Sequence, residues 1–96
     1  MAPFRILKQI KVMTKKEMHK EIRERFYDII EEKFPYYSID SDGFGGRVQI
    51  SNDNDVIEYH MTRHTICSYP DMSYQGKEDE KQMEIIINDL VREYNI

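Results

Sequence analysis

The side chains best suited to chemistry are gathered in 55–69, DVIEYHMTRHTICSY, which holds two of the three histidines and the only cysteine. His60, His64 and Cys67 are spaced H-x3-H-x2-C, and imidazole and thiolate are ligands that a zinc ion takes in tetrahedral sites. On a helix the two histidines would share a face one turn apart. The segment is rich in β-branched and aromatic residues, however, and reads as a strand, where a rise of ~3.3 Å per residue sets His60 and His64 ~13 Å apart and turns Cys67 to the opposite face. Such geometry cannot close around an ion, so no metal and no cofactor are expected. A turn or bulge near Thr62 and Arg63 would bring the groups back together, and the stretch does exceed the ~3–10 residues of an ordinary strand.

Other constellations fail at named positions. Cys67 as a nucleophile would need a neighbouring base, and His64, three residues along a strand, points to the other face. Asp40 and Asp42 before Gly43 imitate a calcium loop, but Ser38 stands where the first ligand belongs and Gln49 where a bidentate glutamate is needed. The glycines of 43–46 lack the Lys-Ser/Thr and the following helix of a phosphate loop, so a hairpin turn is their simpler explanation. A protein without catalytic activity is therefore expected.

The positioning elements follow from periodicity. Phe4, Ile6, Ile10 and Val12 share one parity and predict a strand over 4–12. Thr14-Lys15-Lys16-Glu17 has the form of a capping box, and Met18, Ile22, Phe26, Ile29 and Ile30 recur at helical spacing up to the stop at Pro35. Strands at 36–41 and 47–51 flank the glycine-rich turn and form a hairpin. Along 55–69, Ile57, Tyr59 and Met61 face one way, whereas Glu58, His60, Thr62 and His64 face the other, which predicts a sheet with one covered and one open polar face. A loop is expected over 70–77. From Glu78 onward Met83, Ile86, Ile87, Leu90, Val91 and Tyr94 mark an amphipathic helix. The expected fold is α+β, in the order β-α-β-β-β-α, with an antiparallel sheet of three to four strands and two helices packed on one face. One domain should cover 1–96, with 1–13 a basic N-terminal strand or arm and 14–96 an α-β-β-β-α core.

The order helix, three strands, helix also occurs in double-stranded-RNA-binding domains, which place lysines at the start of their second helix to meet phosphates. Here 76–81 reads GKEDEK, with three acids among the basic groups, and no family is assigned.

Composition narrows the function. With 40% hydrophobic and 33% charged residues, the chain suits a soluble globular protein rather than a disordered one. No apolar run approaches the ~20 residues that span a bilayer, so no membrane association is expected. The first residues lack a continuous apolar core and a cleavage site, so no signal peptide is expected, and one cysteine suits the reducing cytoplasm.

Charge is divided along the chain. Residues 1–25 carry eight Lys/Arg against three Glu, or +5, and residues 26–96 carry six against fifteen acids, or −9. At ~100° per residue the first helix separates its charges. Glu17, Glu21, Glu24, Asp28, Glu31 and Glu32 fall in one stripe, which would run ~22 Å at 1.5 Å per residue. That acidic face could dock on a basic protein surface, even one that ordinarily holds nucleic acid. The favoured expectation is a small inhibitor or regulatory accessory factor, of a size and Lys/Glu/Ile/Asn/Tyr bias suited to a phage or mobile element. The alternative is a nucleic-acid-binding module that uses Arg5, Lys8, Lys11, Lys15, Lys16 and Lys20. A small metal- or cysteine-dependent enzyme ranks third.

Overall fold

The computed structural model describes residues 13–40 and 46–95. The strand expected over 4–12 lies outside the described residues, as do Arg5, Lys8 and Lys11.

Helix α1 (Lys15–Lys33) begins where its sequence dictates. The Thr14 hydroxyl accepts from Glu17 N at 3.1 Å, and Thr14 N donates to the Glu17 carboxylate at 2.9 Å, which completes the capping box. The helix stops one residue before Phe34, whose N–H still reaches Ile30 O, because Pro35 disfavours helical geometry at the residue before it. Ile22, Phe26 and Ile30 are fully buried.

Four strands follow: β1 (Ser38–Asp40), β2 (Arg47–Ser51), β3 (Val56–His60) and β4 (Thr65–Ser68). They pair in sequence order, each antiparallel to the next. Between β2 and β3, the Asn52 side chain accepts from Asn54 N and Asp55 N, both at 2.8 Å, an Asx turn that reverses the chain. The 55–69 stretch is thus two strands and not one. It breaks at 61–64, where His64 takes the left-handed conformation (φ 53°) and donates its N–H to His60 O at 2.7 Å. This break supplies the fourth strand, and the order of the described elements is α-β-β-β-β-α.

Helix α2 (Tyr74–Tyr94) starts four residues before the expected Glu78. Its cap is Ser73, whose hydroxyl accepts from Gly76 N at 3.0 Å. In a capping box the third helical residue would return a carboxylate to the Ser73 N–H. That residue is Gly76, and the carboxylate comes instead from Asp55, which accepts from Ser73 N at 2.6 Å and Ser73 Oγ at 2.7 Å. Asp55 is buried by this arrangement. Asn95 closes the other end in the left-handed conformation and returns its N–H to Val91 O and Arg92 O.

The sheet buries one face. Val48, Ile50, Ile57, Tyr59 and Ile66 point inward and meet Ile22, Phe26 and Ile30 of α1 and Met83, Ile87 and Leu90 of α2, with the Phe26 and Tyr59 rings 4.7 Å apart. On the alternate parity Arg47, Gln49, Thr65 and Cys67 are exposed, and Glu58 and His60 are half-buried. Tyr37, just after α1, donates to Asp79 near the start of α2, while Arg25 of α1 reaches Glu93 near the end of α2. The helices therefore run antiparallel. Among the described residues no helix is long and apolar enough to cross a membrane.

The borrowed cap gives a stability prediction. A Cβ at Gly76 would lie 2.6 Å from both Asp55 carboxylate oxygens. Although Ala favours a helix over Gly by ~1 kcal/mol, Gly76→Ala should destabilise the fold by about 1–2 kcal/mol through overpacking. In an Asp55→Ala background the same change should become neutral or stabilising; denaturant midpoints of the four proteins of this cycle test it.

Candidate functional site

All six carboxylates of the α1 stripe are exposed, but they are not equivalent. Glu17 belongs to the helix cap. Glu21 accepts from the Tyr94 hydroxyl at 2.6 Å. Arg25, four residues after Glu21, turns to α2: it pairs with Glu93 at 2.6 Å and lies over the Tyr94 ring. This pairing holds the Glu93 carboxyl below its ordinary pKa. Glu24, Asp28, Glu31 and Glu32 have no hydrogen-bond or ion-pair partner among the described residues. They form an exposed acidic face with no counter-ion of its own among the described residues.

The other flank of α1 is basic. Lys16, Lys20 and Arg23 line a groove of about 430 Å³ with His19, and Met61 and Thr62 of the β3–β4 turn form its opposite wall. Lys15 is exposed nearby on the first turn. Of the six basic residues singled out by sequence, the structure thus gathers Lys16 and Lys20 at the groove and adds Arg23.

From the groove a polar chain runs inward, half-buried at His19 and buried at His64 and Tyr59. His64 Nε2 is 2.6 Å from His19 Nδ1, and His64 Nδ1 is 2.7 Å from the Tyr59 hydroxyl. The left-handed turn swings His64 inward until it is 4% exposed. Burial, assisted by His19 and Arg23, lowers its pKa to about 4. Burial likewise raises the Tyr59 phenol above its ordinary value. His64 therefore does not share a face with His60, and the expectation that Glu58, His60, Thr62 and His64 line up together is corrected by the turn.

The same turn corrects the placement of Cys67. Strand β4 folds back beside β3 with Glu58 and Cys67 as register partners. The Cys67 sulfur lies 3.5 Å from His60 Nε2 and 3.9 Å from Glu58 Oε1 on the open sheet face. As a nucleophile the thiol is poorly tuned, since burial, Glu58 and Glu80 all raise its pKa.

Sequence reasoning missed His19, Glu58 and Arg23 as site residues. His19 did leave a signal: at about 100° from Met18 it sits inside the apolar sector of α1, where a polar group needs a buried partner. Compared with protein-family models, with curated proteins and with solved structures, the chain finds no match in any of the three.

The buried histidine sets a pH dependence. The unfolded chain protonates near the ordinary value of 6.5 and the folded chain near 4. The contribution of neutral His64 is therefore complete above pH 6.5 and is lost as pH falls toward 4, by as much as ~1.4 kcal/mol per pH unit. His64→Asn, which tolerates the left-handed backbone, should flatten this slope in denaturation curves taken across that range.

Proposed function

We propose that this chain is a small non-catalytic binding protein, an inhibitor or regulatory accessory factor, that docks the acidic face of α1 on a basic surface of a partner protein. The observation that carries the proposal is the exposure of Glu24, Asp28, Glu31 and Glu32 with no counter-ion among the described residues, while Arg25 is turned away to Glu93. Uncompensated charge of one sign on a rigid element raises the encounter rate with a surface of opposite sign and repels competitors. These four carboxylates span ~12 Å along the helix axis at 1.5 Å per residue, a length over which a nucleic-acid strand presents several phosphates. A partner that ordinarily grips DNA or RNA would meet comparable charge here. Composition and size support an intracellular, phage or mobile-element setting.

In capture experiments from the native host, proteins held by the wild-type chain should be released by salt and by added duplex DNA. A Glu24→Lys, Asp28→Lys, Glu31→Lys variant of unchanged helical content should bind them at least tenfold more weakly; equal affinity would remove the acidic face from consideration.

A second reading has its own observation: Lys16, Lys20 and Arg23 around the groove supply clustered positive charge. Nucleic acid bound there, with Lys15 and the basic residues before it contributing, would be held through phosphates and released by salt. A gel shift at low ionic strength should then vanish in Lys16→Glu, Lys20→Glu, Arg23→Glu protein. Absence of any shift with the wild-type chain disposes of this reading.

A further inference from the structure

We infer that Glu58, His60 and Cys67 form a three-ligand site for a thiophilic divalent cation of the Zn²⁺ class on the open face of the sheet. One ligand atom from each residue lies within 4.8 Å of the other two. In a tetrahedral zinc site, bonds of ~2.3 Å to sulfur and ~2.0–2.2 Å to nitrogen or oxygen place sulfur ~3.5 Å from each neighbouring ligand atom. The Cys67 sulfur is 3.5 Å from His60 Nε2 and 3.9 Å from Glu58 Oε1. The side chains thus already stand near the edges of such a tetrahedron, and small rotations complete it.

The backbone fixes this arrangement. Glu58 and His60 are two apart on β3 and share a face, and Cys67 is the register partner of Glu58 on β4. No side chain has to cross the sheet. The Tyr69 hydroxyl contacts Glu58 Oε2 at 3.4 Å and leaves Oε1 as the carboxylate oxygen nearer the sulfur. Arg47 lies 3.8 Å from that Oε1 and is the group an incoming cation must displace; it is exposed and free to turn into solvent. One carboxylate and one thiolate neutralise a divalent charge, and a thiolate with an imidazole selects a zinc-like ion over calcium or magnesium. Cys67 is exposed, so the fourth position opens to water.

The site lies across the sheet from α1, and its failure would leave the binding reading of α1 untouched. The test uses the full chain, chelator-cleared and kept reduced by a phosphine. Zn²⁺ should bind at one ion per chain, and Co²⁺ should give a thiolate charge-transfer band, which can arise only from the single cysteine, Cys67. Cys67→Ser should abolish the band, and Glu58→Gln and His60→Ala should each weaken Zn²⁺ at least tenfold while circular dichroism stays unchanged. His19→Gln, which alters the inner-face imidazole pair without touching the 61–64 turn, should bind as the wild type does. Cobalt binding without the band, equal affinity in the three ligand variants, loss of binding in folded His19→Gln protein, or half an ion per chain would each overturn the inference.

Discussion

The reversal at 61–64 is the constraint on which both polar assemblies depend. By turning the chain within four residues, with His64 in the left-handed conformation, it folds β4 onto β3. On the outer face this sets Cys67 opposite Glu58 and beside His60. On the inner face it drives the His64 ring between His19 and Tyr59, under the wall of the groove. A straight strand would have carried Cys67 and His64 away from these partners. A left-handed backbone at a non-glycine residue is uncommon, and here the hydrogen bonds to both ring nitrogens offset its cost.

Helix α1 joins three environments in one turn-by-turn pattern. Its apolar stripe anchors it to the sheet, its basic flank borders the β3–β4 turn, and its acidic face points to solvent. The division survives because Arg25 is recruited across to Glu93 and Tyr94 and leaves the central carboxylates alone. An exposed ion pair of that kind contributes little stability by itself. Its larger effect is to keep opposite charges on separate sides of the same helix, which gives the molecule two electrostatically distinct surfaces.

The fold class was legible in the sequence where structure is local. The capping box at Thr14, the stop at Pro35 and the alternation of Val48 and Ile50 each name an element that the structure contains. Illegible features were those imposed from a distance. Met61-Thr62-Arg63-His64 contains no Gly, Pro, Asn or Asp, so only the excess length of 55–69, and not its composition, pointed to a break near Thr62 and Arg63, and the inward turn of His64 stayed hidden. Gly76 read as part of a loop, whereas it occupies the first turn of α2 because Asp55 fills the space a side chain would need. The candidate site was legible in part: His60 and Cys67 stood out by type, but Glu58 joined them only through strand register, and His19 and His64 met only through tertiary packing.

The cap that Asp55 lends to Ser73 also bears on the order in which the chain assembles. Its partners are 18 residues apart, separated by β3, the turn and β4. The middle of α2 can form from its own apolar periodicity, but its first turn acquires a carboxylate only after the intervening hairpin has closed and brought Asp55 round. Completion of that turn is therefore a non-local event, governed by loop closure rather than by helix propagation. The N-terminal end of α2 is in this sense the clasp of the molecule, joined to the start of the strand that holds its other half.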